Sequence, residues 1–390
     1  MSLASRRAPL YAMALANFAV GTGALMIAGL VPEIAADLDV SEAAAGQLIA
    51  IYAVVYAVAA PLLSVLASRL PKRRILMIAA GGLAMTSLAA AFAPDFASLM
   101  VIRGATALFA ALVTPVAASV ATLIVPPGQI GSAIGVVFGG FAVSTVLGVP
   151  AGALIGGAFG WPAAFVMVAV LAGLAFIAIA AWLPGDMPAT PTRLSELART
   201  LRDTHALAAV GLTAIQLASA FVVFGYIAVI FQNGFGAQAT EIFWLLMVFG
   251  LASVAGNHAG GVLTDRFGHD RVILYGLAAL PLPLIGLYLA PLGFLASAVV
   301  MALWAFLGFI FTAPQQARLV RLHPDQRTMI LALNASAIYV GNSVGTASGG
   351  LLLAISGTTW MPLAAGLTAL AAFMFYLATR AIGAGQKVAS

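Results

Sequence analysis

Ser64-Val-Leu-Ala-Ser-Arg-Leu-Pro-Lys-Arg-Arg74 and Gly261-Val-Leu-Thr-Asp-Arg-Phe-Gly-His-Asp-Arg271 are one pattern written twice, 197 positions apart in a chain of 390 residues. Half of 390 is 195, so the repeat reports a duplicated architecture. The same shift of 197 carries Gly148 and Gly152 onto Gly345 and Gly349. Each copy sits between two apolar runs, and reading outward from them finds more. Runs of about 20 residues, enough to cross a bilayer core, fall at 9–31, 45–67, 74–93, 97–124, 131–156 and 162–183. A second six fall at 206–231, 240–263, 271–290, 293–317, 328–355 and 360–380.

Charge orients this series. Arg6, Arg7, Arg69, Lys72, Arg73, Arg74, Arg193, Arg199, Arg202, Arg266, Arg271, Arg318, Arg321, Arg327, Arg380 and Lys387 all fall on one side of the runs, and the opposite loops hold no lysine or arginine. The positive-inside rule then places both termini in the cytoplasm of a multi-pass protein of the cell (inner) membrane. Only Arg103 remains, inside the fourth run. With 63% hydrophobic and 7% charged residues, the chain is excluded from the soluble globular class, whose charged fraction is about 25%. The formal charge of +5 belongs to inner loops facing anionic headgroups, so no nucleic-acid partner is implied. Cysteine is absent, which excludes disulfides and thiolate metal sites. No cofactor or metal is expected, and the molecule reads as a monomer. The basic N-terminus followed by an apolar run has the plan of a signal peptide, yet the run is long and eleven others follow, so it reads as a retained first helix.

The polar stretch 184–205 divides the runs six and six, giving an N-terminal bundle over 1–183, a cytoplasmic linker and a C-terminal bundle over 206–390. Within the linker, Thr192 is placed to cap a short helix with Leu194, Leu197 and Leu201 on one face, opposite Arg193, Arg199 and Arg202; a surface helix and a plain tether both fit. In the fifth run, Gly140, Ser144, Gly148, Gly152 and Gly156 recur every four positions as a strip that another backbone can approach closely, and Ala337, Gly341, Gly345 and Gly349 repeat it. The duplication points to an interface that slides or rocks between the halves.

These residues resemble the major facilitator superfamily over the whole chain. Gly261-x-Leu-x-Asp265-Arg266-x-Gly268-x-x-Arg271 is similar to that family's inner-loop signature between helices 8 and 9. The first-half copy keeps Arg69 and Arg73-Arg74 but holds Ser68 for the acid and Pro71 for the glycine. Gly148-Val-Pro150-Ala-Gly152 resembles the helix 5 antiporter signature, with Val149 inserted before the proline. Leu30-Val-Pro-Glu-Ile-Ala-Ala-Asp-Leu38 and Phe159-Gly-Trp-Pro-Ala-Ala-Phe165 further resemble the drug:proton antiporter branch that includes arabinose, sugar and purine nucleoside exporters. The resemblance implies twelve helices in two pseudo-symmetric six-helix bundles, an all-α membrane transporter working by alternating access.

Arg103 resembles the arginine that the family keeps in helix 4 and associates with proton coupling. An unpaired charge at that depth costs at least ~2.5 kcal/mol, so it needs a neutralising group, and Glu33 and Asp37 are the candidates on the same side. Snorkelling outward or bonding a backbone carbonyl is the alternative. The carboxylate that related exporters carry midway along helix 1 is missing, with Ala24 in its place. Glu33 and Glu241 at the outer mouth and His258 near the inner end of its run remain as titratable candidates, although a lone membrane histidine also serves as a hydrogen-bonded packing residue. Asp265 ends its helix at the pole unfavourable to an anion and calls for a partner, Arg271 being nearest. The resemblance implies a latch there, built with Arg69, Arg73, Arg266 and the strip at Gly148, Pro150 and Gly152, while a plain topology-setting loop is the alternative.

For substrate, the resemblance implies a cavity between helices 1, 4, 7 and 10. Mid-run polar and aromatic residues there are Asn17, Thr22, Tyr52, Tyr56, Thr114, Gln216, Phe221, Phe224, Trp304, Phe306, Gln315, Asn334, Tyr339 and Asn342. Each is a candidate contact and each is equally suited to gluing helices together. Neutral amides with aromatics favour a neutral or amphipathic solute, such as a drug, sugar or nucleoside, over a strong anion or multivalent cation. An exporter, an uncoupled facilitator and a non-transporting sensor remain open, although no appended soluble domain is seen to relay a signal. A membrane enzyme is disfavoured, because His205, His258, His269 and His323 are scattered. No Gly-x-x-x-x-Gly-Lys-Ser/Thr phosphate loop occurs, so energy must come from a gradient or a partner.

Overall fold

The computed structural model describes residues 3–126, 129–185, 187, 201–289, 293–322 and 327–389. Among them are 12 helices long and apolar enough to cross a membrane. They are α1 (Arg7–Gly29), α2 (Glu42–Leu63), α3 (Lys72–Ala91), α4 (Phe96–Ile124), α5 (Ser132–Phe159), α6 (Trp161–Trp182), α7 (Thr204–Phe224), α8 (Ala239–Phe267), α9 (His269–Tyr288), α10 (Phe294–Leu322), α11 (Met329–Ser356) and α12 (Met361–Arg380). The twelve apolar runs each became one of these helices. Most of the linker segment from Thr192 to Leu201 lies outside the described residues.

Local chemistry sets the helix ends. Ser41 accepts from the Ala44 amide at 3.1 Å, Asp95 from that of Ser98 at 2.7 Å and Asp203 from that of His205 at 2.9 Å, each supplying an acceptor to a free N-terminal donor of α2, α4 or α7. Gly160, Gly236, Gly268 and Gly357 turn the chain at positive φ, where a side chain would strain the backbone.

Several spans are interrupted, and the uninterrupted apolar runs gave no sign of it. The helix Leu3–Leu25 tightens into a 3-10 turn at Met26–Gly29 before the short helix Val31–Asp37. In the second half, Thr204–Phe224 breaks at Gly225 and Tyr226 before the short helix Ile227–Phe235. The breaks thus recur near the repeat offset. In α5 the residues Ser144–Gly148 form one π-helical turn ahead of Pro150. Proline lacks the N–H that would bond back along the helix, and the wider turn absorbs the lost bond.

The described chain groups into two compact units. Unit 1 is Met1–Leu194 with Gln238–Met247, and unit 2 is Ser195–Ala237 with Val248–Ser390. The N-terminal end of α8 therefore belongs to unit 1, where Gly157 and Gly29 leave room for Ala239 and Leu246. In unit 1, α1 packs on α5 and α6, and α3 on α4 and α6; in unit 2, α7 packs on α11 and α12, and α9 on α10 and α12. The second list is the first shifted by six helices.

The small-residue strips make the closest of these contacts. A Cβ on Gly140 would strike the Ala14 carbonyl, one on Gly148 the Thr22 hydroxyl, and one on Gly152 or Gly156 the side chains of Met26 or Leu30. In α11, Gly341, Gly345 and Gly349 lie on the carbonyls of Ala214, Ala218 and Val222 in α7. This corrects the reading of the strip as a surface between halves. The missing side chains of Gly148 and Gly152 are taken up inside unit 1, where they seat α1 against α5.

Candidate functional site

Arg103 is the one fully buried charge within the described spans of unit 1. The helical register of α4 places it against α1 and α2. Its Nη1 donates to the Gly23 carbonyl at 2.9 Å and its Nε to the Leu48 carbonyl at 3.4 Å. The guanidinium lies 4.4 Å from the centre of the Tyr52 ring and 5.9 Å from that of Phe165. Neither Glu33 nor Asp37 forms an ion pair with it, and the expectation of a carboxylate partner is replaced by carbonyls and rings. The magnitudes account for this: two charge-assisted bonds at about 1.5–3 kcal/mol each and a desolvated cation–π contact near 2 kcal/mol match or exceed the insertion cost. Arg103 Nη2 and the Tyr52 hydroxyl have no hydrogen-bond partner.

About three turns further along α4, Asn17 donates to the Met13 carbonyl at 3.1 Å and accepts from the Thr114 hydroxyl at 2.6 Å, joining α1 to α4. Thr22 is buried with its hydroxyl unpartnered. Tyr56 stacks on Tyr52 at 6.3 Å. The five unit 1 candidates are therefore all on helices that meet around Arg103 or next to it.

Unit 2 places neutral groups in the seam between α7 and α10. Gln216 donates to the Gly308 carbonyl at 3.3 Å, and Gln315 donates to the Ala209 carbonyl at 2.8 Å and to the Thr213 hydroxyl at 3.2 Å. Thr213 in turn donates to Asn334 of α11 at 2.7 Å. A carbonyl can only accept, so each glutamine must turn its NH2 toward it. The Oε1 atoms of Gln216 and Gln315 are left buried and unpartnered, as is Oδ1 of Asn342.

Further along the same seam the rings gather. Phe224 lies 5.4 Å from Phe221, 4.9 Å from Phe249 and 6.5 Å from Trp304, and Phe249 lies 5.0 Å from Trp304 and 6.3 Å from Phe309. These separations are those of attractive offset and edge-on pairs. Tyr339 is buried, while Phe306 is half-buried and presents its backbone carbonyl to Gly256 of α8. The sequence reading missed Thr213, Phe249 and Phe309. Thr213 stands one turn before Gln216, and Phe249 shares a helical face with Ser253, Gly256 and Gly260, spacings that could have revealed both.

The titratable candidates fall apart. Glu241 accepts from the Gln238 amide at 2.8 Å and so caps α8 as the third residue of its first turn. His258 is exposed on α8. Glu33 borders a cavity of about 500 Å³ with Ala36, Asp37, Gly160, Trp161 and Pro162. Its Oε2 is unpartnered, and burial pushes its carboxyl above the usual carboxylate range. Asp37 instead accepts from the Trp161 indole at 2.8 Å.

Among the described residues, the expected latch does not assemble around Asp265. Asp265, Arg69, Arg266 and Arg271 are exposed, and Asp265 forms no ion pair with Arg271. An exposed carboxylate keeps its solvation and demands no partner. Arg73 donates to the Ala180 carbonyl at the end of α6 at 2.5 Å, and Lys72 to the Ser119 hydroxyl at 2.7 Å. In unit 2 the basic-loop end is organised by Asp270, which accepts from the Tyr376 hydroxyl at 3.0 Å and lies 3.2 Å from His269 Nδ1.

Comparison with known proteins is consistent with this architecture. The Major Facilitator Superfamily model matches residues 13–209 and 209–389. The "Inner membrane transport protein YdhP" of Escherichia coli O157:H7 is 31% identical over 372 residues, covering 94% of this chain and 95% of the relative. The "Chloramphenicol efflux pump MT0201" of Mycobacterium tuberculosis is 30% identical over 373 residues, covering 93% and 89%. A crystal structure of a bacterial homolog of the human lysosomal transporter Spinster superposes with a TM-score of 0.82 at 18% identity, covering 97% and 98%, and shares the fold.

Proposed function

This chain belongs to the Major Facilitator Superfamily, a family of transporters and not of enzymes, and we propose that within it the protein is a secondary exporter of a small neutral or amphipathic solute. The pattern of buried polar groups carries this reading. Asn17, Thr114, Gln216, Gln315 and Asn334 are uncharged and already hydrogen-bonded within their units, and Phe221, Phe224 and Trp304 add apolar rings. Such a lining suits a drug, sugar or nucleoside. Export is supported by the efflux pump named above, with which the chain aligns over nearly its full length.

In the proposed cycle the two bundles alternate access to a site formed from helices 1, 4, 7 and 10. Proton antiport supplies the energy, Arg103 being the buried charge that responds to it. The protein lies in the inner membrane as a monomer with both termini cytoplasmic, as its arginine distribution supports. An uncoupled facilitator is the second reading, favoured because no aspartate or glutamate falls near the middle of any span. Proteoliposomes loaded with chloramphenicol, a sugar or a nucleoside separate the two. Efflux that rises with an inward proton gradient establishes antiport; efflux indifferent to the gradient establishes the facilitator; and no flux for any of the panel overturns the substrate class.

A further inference from the structure

We infer that His269 is a proton-operated contact that holds the basic-loop end of α10 to α9. His269 opens α9 directly after the Gly268 turn, and Arg321 lies in the last turn of α10. Arg321 Nη1 stands 3.4 Å from His269 Nε2, while His269 Nδ1 stands 3.2 Å from Asp270 Oδ1. A guanidinium can only donate, so Nε2 must offer a lone pair. In this contact the neutral tautomer carries its proton on Nδ1, which lies near Asp270 Oδ1 without making a hydrogen bond to it.

Protonation places a second N–H on Nε2, directed at the Arg321 guanidinium. The bond to Arg321 is lost and two cations face each other, whereas the contact with Asp270 is strengthened. The surrounding charges reinforce this sense. From α10, Arg318 joins Arg321; from α12, Tyr376 donates to Asp270, lies under Arg318 at 5.2 Å and has Arg380 nearby; Asp265, Arg266 and Arg271 are exposed on either side of the turn. Asp270 is thus the one anion bonded within the group, and a charged imidazole joins two arginines beside it. A proton frees the end of α10 while Asp270 keeps α9 fastened to α12. Imidazoles change charge between about pH 5 and 8, the range of a cytoplasm under acid load.

The test is hydrogen exchange on the reconstituted full-length chain across pH 5 to 8, corrected for intrinsic exchange, read at the segment 316–322. Protection there should fall roughly tenfold from high to low pH, the weight of one charge-assisted bond. His269→Gln should remove the pH dependence, and His269→Arg should give the weakly protected state throughout. Arg321→Gln, which leaves the histidine intact, should also lose the dependence and guards against a misfolded His269 variant. Wild-type protection that is flat with pH, or an unchanged pH response in both His269→Gln and Arg321→Gln, overturns the inference. The readout is independent of which solute is carried, so failure of the exporter reading leaves it standing.

Discussion

Unit 1 fully buries a charge, Arg103, among its helices, whereas the α7–α10 seam of unit 2 holds only dipoles and unit 2's buried Arg318 lies near the basic-loop end of α10. Arg103 is held by the carbonyls of Gly23 and Leu48 and by two aromatic faces, whereas the α7–α10 seam contains Gln216, Thr213, Gln315 and Asn334 under a cluster of rings. Both units use the same packing plan, with α1 on α5 matched by α7 on α11 through strips of glycine. Duplication has therefore kept the scaffold and let the polar contents diverge. The difference teaches that a repeat specifies how helices meet, while the residues in the seams specify what each half can respond to.

The sharpest way to break the comparison is at Arg103. Arg103→Ala should reduce gradient-driven efflux to background in proteoliposomes, and Arg103→Lys, able to keep one of the two carbonyl bonds, should lower it about tenfold or more. Unchanged efflux in both would remove the charge from the mechanism and make the units equivalent. The second test is steric. Gly345→Ala drives a Cβ onto the Ala218 carbonyl and should cost about 1–3 kcal/mol, seen as faster thermal inactivation in detergent. Gly148→Ala meets the Thr22 side chain rather than backbone and should cost less; equal losses would show the strips to be interchangeable.

A smaller effect is expected from the amide seam. Gln315→Leu strips the Ala209 carbonyl of its partner and should destabilise the protein by about 1–3 kcal/mol while preserving the response of transport to a proton gradient. Loss of that response would mean that unit 2 shares the coupling. The smallest effect concerns Glu33. Because burial raises its proton affinity in the folded state, stability from this group is complete below the ordinary value of 4.5 and is lost as pH rises through the raised value. Glu33→Gln should flatten that decline in a melting series begun at pH 4, and an identical pH profile in the variant would dismiss it.

The twelve spans were readable because about 20 apolar residues between charged or turn-forming segments have few other fates. The breaks in α1 and α7 were not, since Met26–Gly29 and Gly225–Tyr226 are apolar or small residues that suit either a continuous or a tightened helix. The fifth run was read as continuous despite Pro150, and sequence alone does not say that a π turn absorbs the bond it lacks. Arg103 was recognised as demanding compensation, and the demand was met by groups that every residue possesses. A backbone carbonyl stood as the alternative to Glu33 and Asp37, but carbonyls leave no mark in a sequence, so Gly23 and Leu48 could not be named. The Asp270, His269, Arg321 and Tyr376 group was missed for another reason: the adjacent His269 and Asp270 meet partners 52 and 106 positions away, Arg321 and Tyr376, only through the packing of α9, α10 and α12.

The guanidinium of Arg103, kept ionic by neutral groups, also has an electrical consequence. Unit 1 carries a fixed positive charge that no salt partner among the described residues cancels, in a region where the membrane field falls. Carrying a full elementary charge through 100 mV involves about 2.3 kcal/mol. Even a fractional displacement during a rocking cycle would therefore make turnover depend on voltage, and it would appear as a capacitive current in a solid-supported bilayer before any solute is released.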